Sequence, residues 1–190
     1  VIYKSENAVV KEVSWDDLAF QVQAIQQFLI KKGVRKGDRI AGLLNNTVET
    51  LAIFLAVNAL GAIWSCCSTD FGIASVVERF EVIEPKILFA DIDYSYNGKV
   101  YDKRDAATEI KSHVLSLRDV VLVHGDIWQT IWDEVDTSIP LSFVPVAFDH
   151  PIWILYSSGT TGKPKAITHS SGGNLIEHFK AMALHQNVQT

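Results

Sequence analysis

Short apolar runs alternate with amphipathic stretches along this chain, and that alternation constrains the fold more than any other feature of the sequence. Residues 2–3, 9–13, 39–44, 62–66, 87–90 and 120–123 read as strands. Between them, Trp15, Leu18, Ala19, Val22, Ile25, Phe28 and Leu29 recur at the spacing of one helical face. Ser14 with Asp17 three residues on is a near capping box for that helix, Gly33 stops it, and Lys31 and Lys32 suit its negative end. Thr47 caps a second helix, 48–60, apolar nearly all round and so predicted to be buried. Residues 73–83, closed by Pro85, and 104–117 read as two further helices. Strands alternating with helices predict an α/β fold of βαβ units on a largely parallel sheet, with right-handed crossovers. Residues 125–149 are less regular, and Pro140 and Pro145 there suggest a connecting excursion or a short hairpin.

Composition narrows the function classes. With 190 residues, 48% apolar and 21% charged, the chain has the makeup of an ordinary globular domain, not a disordered, collagenous or disulfide-stapled one. Its 17 basic against 22 acidic side chains give a net charge of −5, spread along the chain, which argues against a nucleic-acid partner. Cys66 and Cys67 are adjacent and lack metal-ligand spacing, so they read as two buried thiols and favour a reducing, cytosolic compartment. The longest apolar stretch, 51–67, is broken by Asn58 and Gly61 and is too short to span a bilayer. Asn45-Asn46-Thr47 fits a glycosylation sequon, a pattern common by chance. The six histidines are scattered, with no metal spacing. Trp64 and Trp153 sit in apolar strands and read as core rather than as walls of a ligand pocket, and Glu78 and Arg79 as a solvated helix face or an ion pair.

The chemistry-bearing segment is Ile152-Trp153-Ile154-Leu155-Tyr156-Ser157-Ser158-Gly159-Thr160-Thr161-Gly162-Lys163-Pro164-Lys165. An apolar strand runs into glycines that let backbone N–H groups turn toward an anion. Four hydroxyls, on Ser157, Ser158, Thr160 and Thr161, add donors, and lysine adds a point charge. A polyphosphate can occupy all of these at once, whereas a solvated turn does not require the whole string. The Walker pattern is absent, because Gly159 and Gly162 are three apart and Pro164 follows the first lysine. Pro164 disfavours a helix at Lys163, so a strand, 166–169, is predicted to follow. Gly-x-Gly-x-x-Gly is missing as well, which disfavours dinucleotide binding.

Residues 156–165 resemble the phosphate-binding signature of the adenylate-forming acyl-CoA synthetase family, with Ala166 where the family usually has glycine. Gly61-Ala62-Ile63-Trp64-Ser65, Asp70-Phe71-Gly72, Val77-Glu78-Arg79-Phe80 and Ile83-Glu84-Pro85-Lys86 are similar to its acetoacetyl-CoA synthetase branch. So are Tyr96-Asn97-Gly98-Lys99 and His169-Ser170-Ser171-Gly172-Gly173, and the resemblance covers essentially the whole chain.

The resemblance implies part of the large N-terminal domain of an adenylate-forming enzyme. Its substrates would be ATP, coenzyme A and a short carboxylic acid, acetoacetate before acetate, and the chemistry two half-reactions through an acyl-adenylate. Ser157, Ser158, Gly159, Thr160, Thr161, Gly162 and Lys165 would bind the ATP phosphates, Lys165 ahead of the more variable Lys163. Asn97, Gly98 and Lys99 stand where relatives contact coenzyme A, although Tyr96 replaces an expected arginine and an Asn-Gly turn explains the same residues. The adenine- and ribose-binding motifs, the Mg2+-binding glutamate and the catalytic lysine are expected in further sequence beyond Thr190, as suits a chain opening on Val1. No catalytic residue is therefore expected within the segment, and the isolated 190 residues are expected not to complete adenylation. A non-catalytic nucleotide-binding module is the reading from another class.

Overall fold

Ser14 opens the first long helix by accepting the Asp17 N–H at 3.0 Å, while the Asp17 carboxylate returns to the Ser14 backbone. Local signals of this kind set most elements in a computed structural model that describes residues 1–6, 10–157 and 164–188. In chain order these are β1 (Ile2–Tyr3), β2 (Lys11–Glu12), α1 (Trp15–Lys31), β3 (Arg39–Leu43), α2 (Val48–Ala59), β4 (Ile63–Cys67), α3 (Ile73–Ile83) and β5 (Ile87–Asp91). There follow β6 (Asp93–Tyr96), β7 (Lys99–Asp102), α4 (Arg104–His113), β8 (Asp119–Val123), α5 (Asp126–Asp133), β9 (Pro151–Ser157), β10 (Lys165–Ser170) and α6 (Ser171–Lys180). A π-helical turn, Ala181–His185, extends α6.

Six strands form the central sheet in the order β10-β9-β4-β3-β5-β8. Every neighbouring pair is parallel except β9 with β10. The α/β expectation and the largely parallel sheet therefore hold. Alternation along the strands splits the core in two. Ile40, Ile87 and Phe89 face α1, α2 and α5, while Ala41, Leu88 and Ala90 face α3 and α4. Trp64 lies across β3 at Gly42, where a Cβ would stand 2.8 Å from the indole, so this strand position has to be glycine.

Three expectations need correction. The strand predicted over 9–13 is reduced to Lys11–Glu12, with Val9 outside the described residues. The helix predicted over 104–117 ends at His113. Val114 and Leu117 are both buried at helical spacing, yet a turn joins them, leaving Leu115 91% exposed and Ser116 Oγ bonded to the Pro85 carbonyl at 2.9 Å. The irregular 125–149 segment contains no hairpin; it opens with helix α5, whose Trp128 and Ile131 are buried against α1. The excursion that follows is fastened to α1 by amide side chains. Gln26 bonds both the N–H and the carbonyl of Ser142, and Gln27 does the same for Asp136.

Candidate functional site

In a parallel sheet, ligands gather at the carboxyl ends of the strands, where successive crossovers diverge. Here the chain leaves central β3 for β4 on one side, then returns to β5 on the other. Asn45, just past β3, and Asp91, the last residue of β5, are tied together at that divergence. Asp91 Oδ2 accepts the Asn45 backbone N–H at 2.7 Å and its Nδ2 at 2.8 Å. Thr69 Oγ1, just past β4, donates to Asn45 Oδ1 at 2.7 Å. Burial pushes the Asp91 carboxyl up to about 6, and the Asn45 hydrogen bonds and His124 only partly oppose it. This engagement of Nδ2 also explains why the Asn45 sequon belongs to the fold. Beside the knot opens a cleft of about 490 Å³ whose walls include Lys4, Asp93, Tyr94 and His124.

The glycine-rich loop starts from the same edge. Ser157 ends β9 and is paired directly with Lys165, the first residue of antiparallel β10. The ends of the loop are therefore about 5 Å apart, and Lys165 stands exposed at its mouth. Ser158, Gly159, Thr160, Thr161, Gly162 and Lys163 lie outside the described residues. The strand predicted to follow the loop is present and begins at Lys165. At its far end this hairpin is closed by Ser171, whose N–H and Oγ donate to the His150 carbonyl at 2.7 and 3.0 Å. Gly172 packs so closely on the Phe148 ring that any Cβ would collide with it. His150 itself reaches the Gly61 carbonyl through Nε2 at 2.8 Å, which gives that histidine a structural part.

The other candidate group occupies the tip of the β6–β7 hairpin. Tyr96 pairs with Lys99, and Asn97 (φ 50°) and Gly98 (φ 72°) form the two-residue left-handed turn that Asn-Gly favours. Tyr94 and Tyr101 stack at 5.0 Å beneath it, and Asn97, Gly98 and Lys99 are exposed. Since β9 and β5 are three strand steps apart, this hairpin springs from the sheet roughly 14 Å from the loop strand. The structure thus does not bring the two predicted groups into one contact cluster. Among the described residues no group of three or more His, Cys, Asp or Glu side chains could hold a metal ion. No helix among them is long and apolar enough to cross a membrane.

Comparison with known proteins decides the family. The pattern described as "AMP-binding enzyme" matches residues 3–190. The chain belongs to the AMP-binding enzyme family. It is 36% identical to an acetoacetyl-coenzyme A synthetase of Rhizobium meliloti over 97% of this chain and 30% of that protein. It is 35% identical to acetoacetyl-CoA synthetase of Rattus norvegicus, over 94% of this chain and 29% of the relative. The solved acetoacetyl-CoA synthetase of Streptomyces lividans superposes with a TM-score of 0.90 at 38% identity, covering 98% of this chain and 30% of its own. The chain thus spans about 30% of the length of the curated relatives it matches.

Within this chain the remaining sequence candidates settle into the core or its margins. Cys66 and Cys67 are free thiols, pushed by burial up to about 12 and about 11. Trp64 is buried, whereas Trp153 is half-buried and packs on Phe54 at 5.2 Å. Glu78 is exposed, as a solvated helix face implies, whereas Arg79 is half-buried, stacks on aromatic rings and has no ion pair among the described residues. Sequence reasoning missed Asn45, Thr69 and Asp91. Their one visible signal was position, each lying just at or past the end of an apolar strand.

Proposed function

We propose that the chain is the phosphate-binding part of the N-terminal domain of an ATP-dependent acid–thiol ligase. The observation that carries this is the hydroxyl- and glycine-rich loop closed by paired Ser157 and Lys165 at the carboxyl edge of the sheet. The similarity to acetoacetyl-CoA synthetases supports acetoacetate as the acid. The carboxylate oxygen attacks the α-phosphorus of ATP, forming the acyl-adenylate and expelling pyrophosphate. The thiol of coenzyme A then attacks the acyl carbon, releasing AMP and forming the thioester.

In the first step, charge builds on the β- and γ-phosphates that leave. Ser157, Ser158, Gly159, Thr160, Thr161 and Gly162 supply hydroxyl and N–H donors there, and Lys165 supplies a positive charge. Donors held in place before the reaction need no reorganisation as that charge grows, and each is worth about 2–4 kcal/mol of barrier. Asn97, Gly98 and Lys99 are assigned to coenzyme A, with the Lys99 ammonium available to a nucleotide phosphate. Mg2+ would accompany ATP and offset phosphate charge, and no cluster of His, Cys, Asp or Glu among the described residues is suited to hold it apart from the nucleotide. The free thiols of half-buried Cys66 and buried Cys67 support a cytosolic setting.

Lys165→Ala in the full-length protein tests the assignment. Adenylation, followed as ATP–pyrophosphate exchange, is expected to slow by roughly 30- to 1,000-fold, with transfer from preformed acyl-adenylate nearly unchanged. Equal slowing of both steps would assign Lys165 to folding instead.

A further inference from the structure

β9 is attached to its two neighbours very differently. Toward β10 the ladder runs from Ser157↔Lys165 to Pro151↔Ser170. Toward β4 it is registered, among the described residues, at the single pair Trp64↔Trp153. Past Trp153, side-chain bonds join the loop-bearing end of β9 to the rest of the sheet. Ser65, fully buried on β4, donates its hydroxyl to the Ile154 carbonyl at 2.9 Å, where a strand partner's N–H would otherwise stand. Tyr156 donates its phenol to the Arg79 carbonyl on α3 at 3.0 Å, and its oxygen lies 3.3 Å from Ser65 Oγ. Ser65 has one proton, so that third approach completes the contact without adding a donor to the phenol.

Arg79 closes the cluster from outside. Its guanidinium stands 5.7 Å from the centre of the Tyr156 ring and 5.0 Å from that of Phe71. It is fixed in turn by Ser75, whose carbonyl accepts from it at 2.6 Å. Burial raises the Tyr156 phenol to about 12, so it remains a donor throughout the neutral range.

We infer that Ser65, Arg79 and Tyr156 form a positioning latch that pins the loop-bearing end of β9 and so sets where Ser157 and its paired Lys165 stand. This rests on the assignment of residues 157–165 to the ATP phosphates. Preorganised donors lose catalytic value when displaced even slightly, because their contribution depends on aim and distance. The latch should matter when charge develops on pyrophosphate and should be silent in the thiol step, which no longer involves those phosphates.

The test uses Tyr156→Phe and Ser65→Ala in the full-length protein, with Lys165→Ala as reference. Tyr156→Phe is expected to lower kcat for acetoacetate-dependent ATP–pyrophosphate exchange about tenfold, the equivalent of one lost hydrogen bond. Thioester formation from preformed acyl-adenylate should stay within about twofold, and Ser65→Ala should show the same split. Unchanged exchange in both variants, while Lys165→Ala abolishes it, would overturn the latch alone. Equal loss in both half-reactions, tracking a lowered melting temperature, would also overturn it by reducing the cluster to a folding element. Exchange that survives Lys165→Ala as well would remove the phosphate-site assignment beneath it.

Discussion

Asp91 is a carboxylate held where water scarcely reaches, and its energetics can be worked through from that fact. Its folded-state value of about 6 lies above the ordinary 3.8, so the folded chain binds the proton more tightly than the unfolded chain does. This contribution to stability is therefore full below about pH 4 and is lost as pH rises through about 6, amounting to at most about 3 kcal/mol. Asp91→Asn keeps an oxygen for both Asn45 donors and removes the charge. Urea midpoints at pH 4 and pH 7 are expected to converge in the variant relative to the parent; an unchanged pH dependence would exclude Asp91 as its source. At this scale, legibility follows sequence distance. The Ser14–Asp17 capping pair was readable because its partners are three residues apart. The Asn45–Asp91 bonds were not, because only the assembled sheet brings residues 46 apart together.

The same rule governs the elements. Helices 15–31, 48–59 and 73–83 declared themselves through local features: a capping box and periodic face in the first, a Thr47 cap on an all-round apolar run in the second, and closure before Pro85 in the third. α5 also carried its signal, Ile127, Trp128, Ile131 and Trp132 at helical spacing, but its eight residues sit in a stretch whose prolines suggested irregular chain. The end of α4 misled because buried Val114 and Leu117 mimic a helical repeat across a turn. What holds the 134–142 excursion was invisible in advance: glutamines on an amphipathic helix usually face water, yet Gln26 is 2% exposed and pairs with the Ser142 backbone. Gln26→Leu would leave that N–H and carbonyl unpaired. A loss of about 2–3 kcal/mol in the urea-unfolding free energy is expected. Gln21→Ala on the same helix is expected to cost less than about 0.5 kcal/mol. Equal effects would show that the strap contributes nothing.

Over the whole molecule, the alternation of strands and helices was enough for the parallel sheet, because right-handed crossovers leave few other arrangements. It could not give the strand order, which places the loop strand β9 beside β4 and the β6–β7 hairpin beyond β5. That order puts the proposed phosphate and coenzyme A contacts at one edge of the sheet but on separate strands. The strand-loop-lysine string was the sequence signal for a phosphate site, and the structure adds that its described ends, Ser157 and Lys165, are paired. The choice of acetoacetate as the acid rests on similarity to relatives, so it is the point most in need of measurement. The direct test is coenzyme A-dependent AMP release by the full-length protein with acetoacetate, acetate and butyrate in parallel. The expected result is AMP release that requires coenzyme A, with kcat/KM highest for acetoacetate. Acetate surpassing acetoacetate, or no AMP with any of the three acids, would contradict it.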